Sequence, residues 1–239
     1  MRKRIIIFIS CAGIFFSGLF LVLNIKVTTR QGIDYKVSVI EIPLYLKILN
    51  FYDRHFNYKW LVERIIKDKP AEADKIMALF SWVNEHIKTQ PRELPVIDDH
   101  VWHIIVRGYG EGDQPSDVFT TFCNYAGFDA FFYRLGNKDR TRRITVSLVK
   151  IKDKWYVFEP RSGAYFIAKN GRFASIEEIS AGNWQVRRLK EDSFDETDYG
   201  NYFSQIADID SKSIHRFSRA NIQSPLKRFI YGIKKGGFR

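Results

Sequence analysis

The chain has 239 residues, is 45% hydrophobic and 15% aromatic, and carries a formal net charge of +11. That apolar and aromatic content excludes a disordered chain, and 15 Gly, 7 Pro and 2 Cys exclude collagen-like and disulfide-scaffold classes. Arg2, Lys3 and Arg4 supply three units of the charge and the acid-free stretch 212–239 supplies eight, leaving residues 5–211 with 27 basic and 27 acidic side chains. A folded nucleic-acid binder carries its basic groups on a face of the fold itself, so no nucleic-acid partner is expected.

Residues 5–23 (IIIFISCAGIFFSGLFLVL) contain no charged side chain. At about 1.5 Å per residue such a run approaches the roughly 30 Å hydrocarbon core of a bilayer. The basic residues before it place the amino terminus in the cytoplasm and the remainder outside. A cleaved signal peptide would show a shorter apolar run ending at a small-x-small site. This run passes instead into Phe-Leu-Val-Leu-Asn, so an uncleaved anchor over 1–24 is expected. Cys11 lies within it and Cys123 lies in the domain, so no disulfide is inferred.

A lead-in over 25–70 is rich in Ile, Leu, Tyr and Phe, and reads as helices near 43–51 and 59–66. Pro70 opens a clearer helix over 71–88, where Ile76, Phe80, Val83 and Ile87 share one helical stripe. Residues 97–112 hold Asp98, Asp99, His100, His103 and three glycines, and read as a loop with a short strand. Pro115 starts the next helix and Gly127 supplies its left-handed end. Strands follow over 128–135, 144–151 and 155–159; Thr145, Ser147 and Lys150 predict a solvated face on the second. Asn170-Gly171 predicts a two-residue hairpin, and Ser175 with Glu178 a capping box. Residues 190–211 form an acidic stretch before the basic tail 212–239. Helices followed by consecutive antiparallel strands make an α+β pattern.

Over roughly residues 71–170 the chain resembles the transglutaminase-like superfamily, which has the papain-type fold, and the domain this implies is taken as 71–189. The resemblance is carried by Gly110-Glu111-Gly112-Asp113-Gln114-Pro115-Ser116-Asp117-Val118-Phe119, by Ala126-Gly127-Phe128 and by Trp155-Tyr156-Val157-Phe158-Glu159-Pro160. In that family a Cys begins the central helix, a His begins the next strand, and an Asp-Pro ends the strand after it. The chemistry needs a thiolate at a helix N-terminus, an imidazole to lower its pKa and a carboxylate to orient the imidazole. Aligned on the helix end and on Trp155, those positions hold Gly112, Ile144 and Glu159. Glycine has no nucleophile and isoleucine no proton acceptor. The resemblance therefore implies a degenerate, non-catalytic member with one membrane helix. By family context it would act at the bacterial cytoplasmic membrane, in surface-polysaccharide assembly, with a protein or glycan partner.

Cys123 sits on the apolar face of the central helix with Phe119, Phe122 and Ala126, which fits a buried thiol better than a relocated nucleophile. An enzyme acting on amide or peptide bonds through such a site is the alternative. Asp98, Asp99, His100 and His103 have metal-like spacing, but further ligands are missing, so no metal is expected. Together with Asp113 and Gln114, one of which caps the central helix, they form a candidate binding segment. The glycines of 108–112 lack the Lys-Ser/Thr of a phosphate loop, and no cofactor is expected. In the tail, Lys227, Arg228, Phe229, Lys234 and Lys235 lie on or beside a short amphipathic repeat suited either to an anionic membrane surface or to packing on the domain.

Overall fold

The computed structural model describes residues 2–31, 38–96, 100–190, 197–204, 206 and 209. The apolar run forms one helix, α1 (Arg2–Leu23), whose Lys3–Leu23 part is long and apolar enough to cross a membrane and is not buried against the rest of the chain. An antiparallel hairpin follows, β1 (Lys26–Gln31) with β2 (Ser38–Pro43). Directly after Pro43 comes α2 (Leu44–Ile66). The two short helices expected here are one, because no Gly or Pro interrupts residues 44–66.

Helix α3 (Glu72–His86) buries the expected stripe through Ile76, Phe80 and Val83, with Leu79 beside them. It stops short of the expected end because Lys88 and Thr89 leave as β3 (Lys88–Thr89), which pairs in parallel with β4 (Tyr109–Gly110). Between them the loop expected over 97–112 is partly a helix, α4 (Val101–Arg107). Its sequence has no breaker and buries Val101, His103 and Ile104, and Gly108 at φ +72° ends it. Helix α5 (Gln114–Tyr125) is the central helix: every residue from Gln114 to Cys123 is buried. Pro115 lies in its first turn, and Gly127 at φ +93° follows its end.

The sheet contains β5 (Ala130–Gly136), β6 (Arg143–Ile151), β7 (Lys154–Glu159), β8 (Ala164–Ile167) and β9 (Gln185–Arg188), each antiparallel to its sequence neighbour. One face, through Ala130, Val149 and Phe158, packs on the helices around Phe80 and Phe119. The other, through Val146, Leu148, Val157 and Phe166, is covered by α6 (Ile176–Ser180), by α7 (Tyr199–Phe203) and by Ile206 and Ile209. The expectation of a solvated face on β6 is thereby corrected: Ser147 lies on the Val149 side of the strand, opposite Phe158 of β7, and is fully buried because α5 packs over that face, while α7 covers the other. The result is an α+β domain, a central helix on an antiparallel sheet.

Local signals read as expected elsewhere, with one change. Ser175 and Glu178 make both bonds of the capping box that opens α6. Asn170-Gly171 does turn the chain, but as part of a three-residue loop closed by Ala168 and Arg172 (2.8 Å). Only Gly171 of the pair has positive φ (+79°), whereas a two-residue type I′ turn requires it at both positions.

Candidate functional site

The glycine-rich turn before α5 is fixed from several directions. Pairing of β3 with β4 lays Thr89 beside Gly110, and Gln90 N–H donates to the Gly110 carbonyl (3.2 Å). A Cβ at Gly110 would come within 3.1 Å of the Gln114 Cβ and 3.2 Å of Ile87, so that glycine serves close packing. Gln114 Oε1 accepts from Glu111 N–H (3.0 Å), which folds the turn onto the helix start. Asp113 occupies the N-cap position, but its side chain makes no capping bond. It instead meets Arg134 of β5 at 2.7 Å, while Glu111 meets Arg161 of the β7–β8 turn at 2.6 Å. These ion pairs are partly solvent-exposed and serve to position the turn more than to stabilise it.

At the end of β7 the chain turns sharply around Glu159, a residue only 7% exposed. Oε1 accepts from Arg161 N–H and Oε2 from Ser162 N–H, each at 3.0 Å. The Ser162 hydroxyl also bonds Oε2, and Tyr199 of α7 reaches the same oxygen at 3.4 Å. Glu159 is thus engaged in holding its own turn and in docking α7.

Gly112, Ile144 and Glu159 come together on the wall of one cavity of roughly 450 Å³. Gly112 stands at φ +62°, and a Cβ there would meet nothing within 4 Å, so the absent side chain leaves open space. Ile144, opposite Leu135 in the sheet, contributes hydrocarbon to the wall. The other lining residues are Thr89, Thr145, Ser162, Thr197, Tyr199, Arg143 and Arg161, of which the Ser162 and Tyr199 hydroxyls are engaged with Glu159 and the Arg161 guanidinium with Glu111. Sequence reading missed all of these. Pro160 and Gly163 are a turn signal that could have marked the region of Arg161 and Ser162, but nothing local marks Thr89 or Tyr199, which arrive by long-range packing.

The remaining candidates fall elsewhere. His100 and His103 lie at the start of α4 with ring centroids 5.6 Å apart; neither lines the cavity, and His103 is buried. Asp98, Asp99 and the tail residues Lys227, Arg228, Phe229, Lys234 and Lys235 lie outside the described residues. Among the described residues no group of three or more His, Cys, Asp and Glu is gathered for a metal. Cys123 is fully buried in α5, and burial pushes its thiol well above the ordinary range. The thiolate, the form that attacks, is therefore suppressed there.

Fold and cleft together define an α+β domain with an open, polar cavity at the N-terminus of its central helix. No protein-family model matches the sequence, and no curated protein matches it. Among solved structures it is similar to a candidate cysteine protease from Cytophaga hutchinsonii, with 11% identity over 55% of this chain and a TM-score of 0.40. It is also similar to a transglutaminase (TGase), with 12% identity over 56% of this chain and a TM-score of 0.37. The matched region spans 46% and 43% of those two chains, so this chain covers less than half of either.

Proposed function

We propose that this is a membrane-anchored, non-catalytic transglutaminase-like protein that binds an envelope glycan in the cavity beside α5. In this reading α1 is retained as a single span and the domain faces away from the cytoplasm. The observation that carries the proposal is the cavity itself. It is open, yet it is walled by Gly112 and Ile144 at the positions the resemblance assigns to nucleophile and base, and by a Glu159 engaged in its own turn. The wall suits a hydroxyl-rich chain: neutral hydroxyls pair with sugar hydroxyls, and Arg143 with an acidic substituent. A role in surface-polysaccharide assembly follows from the family context and the membrane helix.

The test uses the full chain in nanodiscs, titrated against acidic and neutral envelope oligosaccharides. Binding is expected, and Arg143→Ala is expected to weaken it about tenfold, or about 1.4 kcal/mol. Amide hydrolysis or acyl transfer by the same preparation, lost in Glu159→Ala, would overturn the non-catalytic reading. Oligosaccharide binding that Arg143→Ala leaves unchanged would remove the cavity as the site.

A further inference from the structure

Helix α2 carries a second surface. Tyr45, Ile48, Leu49, Tyr52, Phe56 and Trp60 are 38%, 38%, 58%, 51%, 62% and 58% exposed. At 3.6 residues per turn they fall within an arc of about 120° on one side of the helix. The opposite side is the one used by the fold: Tyr58 and Val62 are buried, with Leu61 and Ile65 packed beside them. A contiguous apolar face of this kind on a folded domain marks a contact surface.

The chain's own geometry indicates what covers it. The apolar helix α1 ends at Leu23, and the Leu44 N–H, at the first residue of α2, donates to the Ile25 carbonyl at 2.8 Å. The β1–β2 hairpin therefore returns the chain to the mouth of the membrane-length helix before α2 begins. Lys47 Nζ donates to the Thr28 carbonyl at 2.7 Å and holds the first turn of α2 on that hairpin. The exposed face thus starts at the level where α1 would leave the bilayer.

Its composition fits that level. Tyr and Trp rings favour the headgroup region, where the ring is in apolar surroundings and the polar edge is wet. The charged groups at the far end are compatible with it too: Lys59 pairs with Glu63 at 3.8 Å, and the Arg64 guanidinium lies 5.4 Å from the centre of the Trp60 ring. Hydrated headgroups accept such groups, whereas the hydrocarbon core does not. We infer that α2 lies along the bilayer surface with its Tyr45–Trp60 face in the headgroup region, so that the domain is held against the membrane by α2 as well as by α1.

The inference depends on α1 crossing the bilayer, and the experiment separates the two. Full chains with Cys11→Ser carry one added cysteine for a nitroxide label: Phe16→Cys in α1, Tyr52→Cys or Phe56→Cys on the face, or Lys154→Cys at the exposed start of β7. They are reconstituted in phosphatidylethanolamine–phosphatidylglycerol vesicles, and collision with oxygen is compared with collision with a water-soluble nickel chelate. At positions 52 and 56 the expected result is oxygen-favoured collision, shallower than at position 16 and reversed from position 154. Nickel-favoured collision at 52 and 56 with lipid depth at 16 overturns the α2 proposal alone. Nickel-favoured collision at 16 overturns the anchor as well. Spin–spin broadening at 52 and 56 that disappears on dilution into excess lipid assigns the face to a second copy of the chain and also overturns the proposal. All substituted side chains are exposed, so none of these variants alters the core.

Discussion

At the scale of single residues, the decisive contrast is between a carboxylate with partners and a thiol without water. Glu159 gathers two backbone N–H groups and the Ser162 hydroxyl around a nearly buried carboxylate. Such a group stabilises the turn that positions Arg161 and Ser162 on the cavity wall. Removing it leaves donors without acceptors, at about 2 kcal/mol overall. Glu159→Ala is therefore expected to lower the unfolding free energy from urea titration by that amount, with Glu159→Gln losing less because one acceptor oxygen survives. Cys123 behaves in the opposite sense. Fully buried, with its thiol pKa raised by desolvation, it is expected to resist iodoacetamide in the native protein at pH 8 and to react once urea unfolds the chain. Mass spectrometry of the alkylated protein checks this, and fast native modification would reopen the case for Cys123 as a nucleophile.

At the scale of elements, the legible features were those with a local cause. Pro115 and Gly127 bracket α5 because one lacks an N–H where none is needed and the other tolerates positive φ. The capping box of α6 was equally readable, and it makes a quantitative prediction. Ser175→Ala removes the hydroxyl that accepts from Glu178 N–H and is expected to cost about 1 kcal/mol. The Ser175 N–H, first among the causes, holds the Glu178 carboxyl below the usual carboxylate range, and Arg172 adds to this. A depressed folded-state pKa contributes stability that is present above the unfolded value and is lost as pH falls through the folded one. Glu178→Gln is thus expected to flatten the acid side of the stability–pH curve, whereas Ser175→Ala lowers the whole curve and keeps most of that slope. Denaturant titrations from pH 3 to 7 distinguish them. What was not legible had a distant cause. Helix α4 forms in a segment whose glycines suggested a loop, because burial of Val101 and Ile104 outweighs them. Ser147 of β6 is buried under the central helix, on the face shared with Val149, and the strand's other face is closed by Tyr199, Tyr202 and Phe203, some fifty residues further along the chain. The site divides in the same way. Gly112, Ile144 and Glu159 could be placed by counting along a resemblance, while Thr89 and Tyr199 reach the cavity only through tertiary packing.

At the scale of the whole molecule, the net charge of +11 separates into a neutral stretch, 5–211, between two basic ends. The amino-terminal cluster adjoins a helix with no charge from Ile5 to Leu23, so in the proposed topology its three positive groups bias which end of that helix stays in the cytoplasm. The bias has a physical limit, because Lys26 and Arg30 stand just beyond the other end and oppose it. Orientation then depends on a small difference, which makes it testable by modest changes. Replacing Arg2, Lys3 and Arg4 with Gln, Gln and Gln leaves Lys26 and Arg30 as the nearest basic groups and is expected to give mixed or inverted insertion. Replacing Lys26 and Arg30 with Gln is expected to reinforce the native orientation. Protease treatment of intact spheroplasts reads the result through an epitope after Arg239. Digestion of the native chain and of the Lys26/Arg30 variant, with protection of a fraction of the Arg2/Lys3/Arg4 variant, is the expected pattern. Full protection of the native chain would place the domain on the cytoplasmic side. The glycan-binding proposal would then lose its compartment, while the contact between α2 and lipid would still be open to the same spin-label measurement.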